Sequence, residues 1–251
     1  MLAERGAGAE VSDLTGAIRL DSTVMPSEVP GFADGLCTIQ SEGSILAASL
    51  AGKFYRGGLI LDMCSGRGVK AGQVLQSCPD ARLEGWELSS GRHKSAAGEL
   101  RRLGVLDRAE LKCGSALELE PSERPSLVIL DAPCSGSGTW TRKPEAKWRL
   151  NWEQLDKLNA TQRHLLDRAL TICAAGGIIL YITCSLLRQE NEGIVAGALS
   201  AHGDCAEFPD VFGSDFGAER GPFHRGRPLG TYIWPETPWL DGFYCAAILK
   251  K

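Results

Sequence analysis

Five short stretches alternate with longer amphipathic ones along this chain. Leu59–Met63, Arg82–Glu87, Glu110–Cys113, Leu127–Asp131 and Ile178–Thr183 read as strands, the last two as near-continuous apolar runs bounded by turn formers. Between and after them, residues recur at helical spacing over Val69–Gln76, Ser90–Leu103, Glu153–Ala174 and Gln189–Ala201. In the Glu153–Ala174 segment, Leu155, Leu158, Leu165, Leu166, Ala169, Leu170 and Cys173 make an apolar stripe that Gly176-Gly177 ends, which predicts a helix covering a sheet. Near the C-terminus, Tyr232-Ile-Trp and Gly242-Phe-Tyr-Cys-Ala-Ala-Ile-Leu flank a turn segment with Pro235, Pro238 and Asp241, predicting an antiparallel strand pair. The alternation predicts an α/β fold, a doubly wound and mostly parallel sheet closed by that pair. Residues 1–30 are too polar and glycine-rich for a core of their own, so one domain is expected over 31–251 behind a short N-terminal extension.

Composition narrows the class. A chain of 251 residues, 43% apolar and 23% charged, can bury one large core. No run of about 18 apolar residues is present and the first 20 residues lack the layout of a signal peptide, so a cytoplasmic protein without membrane contact is expected. Nine cysteines without a C-x-x-C pair argue against a disulfide framework and against a zinc or other metal site. The formal net charge of −4 excludes a uniformly basic nucleic-acid glove. Cations nevertheless cluster locally: Arg142, Lys143, Lys147 and Arg149 surround Trp140 and Trp148, and Arg220, His224, Arg225 and Arg227 crowd Phe223. Cations interleaved with aromatics suit an RNA backbone with unpaired bases; either cluster alone reads rather as a solvated face, and their shared placement after predicted strands favours RNA.

Candidate chemistry lies where the predicted strands end. Parallel sheets place ligands beyond the carboxyl ends of their strands, so Cys134 and Cys184, which follow two central strands, are expected in one crevice. A thiol beside positive charge or a helix N-terminus becomes a strong soft nucleophile. The first strand runs into Asp62-Met-Cys-Ser-Gly-Arg-Gly-Val-Lys, a tight turn opening a helix, and the second ends at Glu87, about 20 residues further on, where a carboxylate can bind ribose hydroxyls. Together they imply an adenosine-bearing cofactor, nicotinamide or S-adenosylmethionine on these features alone.

The string Asp131-Ala-Pro-Cys-Ser-Gly-Ser-Gly-Thr resembles the fourth motif of the RsmB/Sun-like family of RNA cytosine-5 methyltransferases, and Thr183-Cys-Ser resembles its sixth. Asp62 to Ala71 is similar to that family's cofactor loop, Pro30-Gly-Phe-Ala-Asp-Gly with Gln40 to its leading segment, and Asp241-Gly-Phe-Tyr to its closing motif. The resemblance spans roughly residues 30–250 and implies the fold of S-adenosylmethionine-dependent methyltransferases. It assigns Cys184 as the nucleophile that adds to carbon 6 of cytosine, Cys134 as the thiol associated with product release, Asp131 as a contact to cofactor and base, and Lys70 as their cationic partner. Cofactor contacts would come from Cys64, Ser65, Gly66, Arg67, Gly68, Val69 and Lys70, with Glu87 on the ribose, Arg92 in support, Ser115 near the adenine and Asp131 at the methionine end. Three positions depart from the pattern: Arg67 stands for a proline, Val69 for a glycine and Ser115 for an aspartate. A β-branched Val69 is expected to strain the turn unless it already lies in the helix, and the Ser115 hydroxyl is a weaker acceptor than a carboxylate. The other cysteines, among them Cys37, Cys78, Cys113, Cys173, Cys205 and Cys245, are expected to pack in the interior.

The implied activity is cytosine-5 methylation of RNA, with ribosomal RNA the expected substrate, free or within a ribosome-assembly intermediate, and rRNA processing the context. A transfer-RNA substrate and a catalytically silent RNA-binding scaffold are the alternatives. Many relatives carry an additional RNA-binding domain, so this chain's own choice of RNA is open. A monomer is expected, since no long apolar stripe calls for a second subunit.

Overall fold

The computed structural model describes residues 8–20, 24–208, 211–212 and 229–251, and the backbone alone of 223–225. The basic cluster around Phe223 therefore lies largely outside the described residues. Where the described chain departs from the expected boundaries, it does so by one to three residues.

A short hairpin, β1 (Ala9–Val11) and β2 (Ile18–Leu20), stands apart from the main sheet. The leading segment then enters helix α1 (Glu42–Phe54), which the sequence pattern did not reveal. Arg102 fixes that segment: its guanidinium lies over the Phe32 ring at 4.0 Å and donates to the Phe32 and Cys37 carbonyls. Next come β3 (Leu59–Asp62), α2 (Val69–Ser77), β4 (Arg82–Glu87), α3 (Ser90–Arg102) and β5 (Ala109–Cys113). β6 (Leu127–Asp131) leads through a long loop and the short helix α4 (Glu145–Arg149) into α5 (Trp152–Ile172), then β7 (Ile178–Thr183) and α6 (Glu192–Ala201). The chain closes with β8 (Cys205–Glu207), β9 (Phe223–Arg225), β10 (Thr231–Ile233) and β11 (Phe243–Lys250).

The main sheet runs β5-β4-β3-β6-β7-β11-β10-β9, with β8 paired to β11. β3 to β7 are mutually parallel, whereas β11 is antiparallel to β7, β10 and β8. The expected C-terminal pair is thus present, inserted beside β7 and extended by β9. Side-chain alternation splits the core into two layers. Ile60, Leu83, Ile129, Ile182 and Cys245 face α1, α2 and α3 through Leu46, Leu50, Leu75 and Leu100. Leu61, Val128, Leu130, Tyr181 and Tyr244 face α5 and α6 through Leu165, Leu166, Leu170, Ile194 and Val195. Truncating a fully buried leucine such as Leu166 in such a layer costs about 2–5 kcal/mol.

The chain winds outward from β3 through β4 to β5, then returns to lay β6 on the other side of β3. Connections leave that junction in opposite directions, opening a crevice beyond the strand ends. Asp62, Glu87, Asp131 and Cys184 all stand at that edge. One expectation needs correcting: Cys113, grouped with the packing cysteines, is exposed, because β5 is the edge strand and its end is uncovered.

Candidate active site

The turn after β3 is built by two glycines in the left-handed region, Gly66 (φ 57°) and Gly68 (φ 80°). Gly68 precedes α2 and has no room for a side chain, since a Cβ there would sit 3.0 Å from the Cα of Ala96. Val69 is already the first residue of α2, and every positive φ among the described residues belongs to glycine. The strain expected of a β-branched residue is therefore absent. The Met63 amide donates to the Ile129 carbonyl at 2.9 Å, and the Ser65 amide and hydroxyl both donate to the Trp86 carbonyl, pinning the turn over the switch point.

Under this turn lies a small cavity of about 110 Å³, lined by Ser44, Asp62, Cys64, Ser65, Gly66, Arg67, Val69, Lys70 and Asp131. Lys70, in the first turn of α2, donates to Asp131 Oδ2 at 2.7 Å. Burial works against the Lys70 ammonium, but the Asp131 carboxylate outweighs it and holds the lysine pKa above its ordinary value. Burial and the neighbouring Asp131 push the Asp62 carboxyl up to about 7, against the pull of Lys70. Burial, then Asp62, Asp131 and Glu87, raise the Cys64 thiol, which makes it a poor nucleophile. Glu87 is buried at the end of β4, where Oε1 accepts from the Ser89 amide at 2.7 Å and pairs with Arg92 at 2.9 Å. Ser115 lies beyond β5, its hydroxyl accepting from the Leu117 amide at 3.3 Å. Arg67, among the residues lining the cavity, is exposed.

The sulfurs of Cys134 and Cys184 are 3.3 Å apart. A hydrogen bond from Cys134, reinforced by the Lys70 charge, holds the Cys184 thiol below its ordinary pKa in spite of burial and Asp131. The same hydrogen bond, then burial, drives Cys134 well above the ordinary value. The contact between the two sulfurs thus favours ionisation of Cys184 over that of Cys134.

Their loops are locked together by a side chain that sequence reasoning missed. Glu190 is fully buried, accepts from the Ser135 amide (2.8 Å) and Gln162 Nε2 (3.0 Å) through Oε1, and takes the Ser135 and Ser185 hydroxyls, both at 2.5 Å, through Oε2. Asn191 accepts from Thr183 Oγ1 and donates to the Ser185 carbonyl. The Gly138 amide donates to the Cys184 carbonyl at 3.0 Å, and Gly138 packs so closely on Gly242 that a Cβ would fall 2.1 Å from the Gly242 oxygen. The signal for Glu190 was the polar run Arg188-Gln-Glu-Asn-Glu, four residues beyond the end of a buried strand, which reads as an ordinary solvated helix start. The same reading put the start of α6 at Gln189, whereas Glu190 and Asn191 precede the helix and point inward. Ser44, which Gln40 holds through a 3.0 Å hydrogen bond, was missed along with α1.

The profile of the 16S rRNA methyltransferase RsmB/F family matches residues 53–249. The chain belongs to that RsmB/F family. The ribosomal RNA small subunit methyltransferase B of Pasteurella multocida is 30% identical over 258 residues, covering all of this chain and 55% of that protein. Its counterpart from Thermus thermophilus is 32% identical over 212 residues, 84% of this chain and 49% of that one. This RsmB/F chain thus spans about half the length of the relatives it matches. A methyltransferase homolog protein from Pyrococcus horikoshii superposes with a TM-score of 0.77 at 25% identity, covering 100% of this chain and 80% of the other. The structure of NSun6 from Pyrococcus horikoshii with SFG shares the fold, with a TM-score of 0.75 at 22% identity over 89% of this chain and 56% of its own.

The RsmB/F chain carries no helix among the described residues that is long and apolar enough to cross a membrane, and no cluster of metal-ligating side chains.

Proposed function

We propose that this chain transfers a methyl group from S-adenosylmethionine to carbon 5 of a cytosine in RNA, with small-subunit ribosomal RNA as the substrate. The observation that carries the proposal is the pair of sulfurs 3.3 Å apart, with the Lys70–Asp131 ion pair at the same sheet edge.

The residues present fit the cofactor. The glycine turn admits a ligand to its backbone, Glu87 offers a carboxylate to ribose hydroxyls, and the cavity beneath is rich in carboxyl oxygen from Asp62 and Asp131. Asp62, a second carboxyl beside the Lys70–Asp131 ion pair, complements a sulfonium or an α-ammonium group. Cys64, Ser65, Gly66, Arg67, Gly68, Val69 and Lys70 would hold it from the turn, Ser115 and Arg92 from the adenosine side, and Asp131 from the methionine end. When bound, the group supplies an electrophilic methyl.

Cytosine carbon 5 is a poor nucleophile until a thiolate adds across position 6. Cys184 forms that sulfur–carbon bond, and the ring electrons it displaces make carbon 5 nucleophilic. Lys70 lowers the cost of the thiolate and keeps Asp131 aimed at the ring edge, where a carboxylate accepts from the exocyclic amino group. After methylation a solvent water takes the carbon-5 proton, the freed electron pair re-forms the ring double bond, and the sulfur–carbon bond breaks with its electron pair on Cys184, which leaves as a thiolate. The Cys134 thiol donates to the departing Cys184 sulfur.

The test uses labelled methyl donor and protein-free small-subunit ribosomal RNA. Cys184→Ala is expected to transfer no methyl, and Cys134→Ala to accumulate a denaturation-stable protein–RNA adduct. A fully active Cys184→Ala protein would refute the nucleophile, and normal product release from Cys134→Ala would refute the release role.

A further inference from the structure

A second hollow, distinct from the cofactor cleft, opens beside the thiol pair. A groove of about 470 Å³ opens at Cys134 and Ser135 and runs between α4 and the first turns of α5, lined by Ala146, Arg149, Leu150, Gln154, Lys157, Leu158 and Thr161. Lys70, Asp131 and Cys184 do not line it. Whatever occupies it therefore adjoins the reacting base without being the reacting base.

Its walls have a specific chemistry. Ala146, Leu150 and Leu158 give apolar contact, while Arg149 is exposed at the mouth. Trp148 and Trp152 are interleaved with the lining residues and are 84% and 75% exposed, a large aromatic surface for a protein to leave in water. The Lys147 ammonium lies 5.7 Å from the Trp148 ring, so cation and ring face solvent together. Arg142, from the same basic cluster, is committed to Asp241 and is not available to a ligand. Apolar floor, exposed rings and a cationic lip complement a flat base and a phosphate, the chemistry of unpaired nucleic acid.

Resting on the RNA-methylation reading above, we propose that this groove holds the unpaired nucleotide next to the target cytosine, its base against Leu150 and Leu158 and its phosphate on Arg149. Because the groove begins at Cys134, a nucleotide seated there anchors the RNA strand beside the thiol pair. An extruded cytosine then has a fixed neighbour, and stem RNA is rejected because its bases are stacked and paired.

Two variants test this. Ala146→Trp fills the groove and Arg149→Ala removes the phosphate partner. Binding of a fluorescein-labelled, cytosine-containing 12-nucleotide single-stranded RNA is measured alongside a duplex of equal length, S-adenosylhomocysteine affinity, and methyl transfer to protein-free small-subunit ribosomal RNA. Ala146→Trp is expected to weaken single-strand binding roughly tenfold, the scale of one lost base contact, and to raise KM in proportion without changing S-adenosylhomocysteine affinity. Arg149→Ala is expected to reduce the salt slope of RNA binding by about one. If both variants bind and methylate RNA like wild type, the groove proposal fails while the methyltransferase reading stands. If the wild-type protein neither binds RNA nor transfers methyl, both fail. Equal binding of duplex and single strand overturns the unpaired nucleotide, and if Ala146→Trp loses S-adenosylhomocysteine as well, Arg149→Ala alone decides.

Discussion

Replacing Asp62 by asparagine isolates the electrostatic cost of building this cleft. The carboxyl is fully buried and its pKa is raised from 3.8 to about 7, by burial first and by Asp131 second. Asparagine keeps an oxygen that can accept from the Cys64 amide, as Asp62 Oδ1 does at 3.4 Å, but carries no charge at any pH. Because the folded pKa lies above the unfolded one, the folded state binds the extra proton between pH 3.8 and about 7. Wild-type stability from this group is therefore undiminished below pH 3.8, falls as pH rises through that window, and is flat above it. A shift of about 3 units at about 1.4 kcal/mol each gives an upper bound of about 4 kcal/mol, and relaxation of the turn brings the expected gain to about 2–4 kcal/mol. Urea denaturation of both proteins at pH 4, 6 and 8 checks it. The two are expected to coincide near pH 4 and the asparagine variant to lead by that amount at pH 8, the titrations of groups remote from Asp62 cancelling in the difference. A difference independent of pH, or a less stable asparagine variant at pH 8, would refute the reasoning.

Glu190→Ala removes the shared acceptor of four hydrogen bonds and is expected to destabilise the protein by about 3–5 kcal/mol and abolish methyl transfer, whereas Glu190→Gln keeps an acceptor and retains partial activity; urea denaturation with transfer assays separates the two. Equal stability of Glu190→Ala and wild type would exclude the clamp. The Cys184 thiol, held below its ordinary value by Cys134 and Lys70, is expected to place the rising limb of the adduct-formation rate below that of a free thiol, and Lys70→Met to move that limb upward; an unmoved limb would show that Lys70 does not tune the thiol. Mild diamide is expected to join Cys134 to Cys184, removing two titratable thiols and methyl transfer together, both restored by dithiothreitol. Loss of activity with all nine thiols intact would contradict the 3.3 Å proximity.

The sequence by itself determined the five parallel strands, the helices between them and the glycine turn. Each is written in local terms: period-two and period-3.6 apolar spacing, and glycines where the backbone turns left-handed. Helix α1 escaped because its small residues, Gly43, Ser44, Ala47, Ala48 and Ala51, carry a faint pattern, and it becomes a helix by packing on α2. β8 and β9 escaped because three residues are too few to show a period. Motif positions placed Cys134 and Cys184 at the same sheet edge, but only the tertiary structure brought their sulfurs to 3.3 Å and gave them opposite pKa shifts. Likewise, Lys70 and Asp131 meet across 61 residues, and Ser135 reaches Glu190 across 55. Such contacts depend on which strands are neighbours, a property of the whole sheet order that no local window of residues contains.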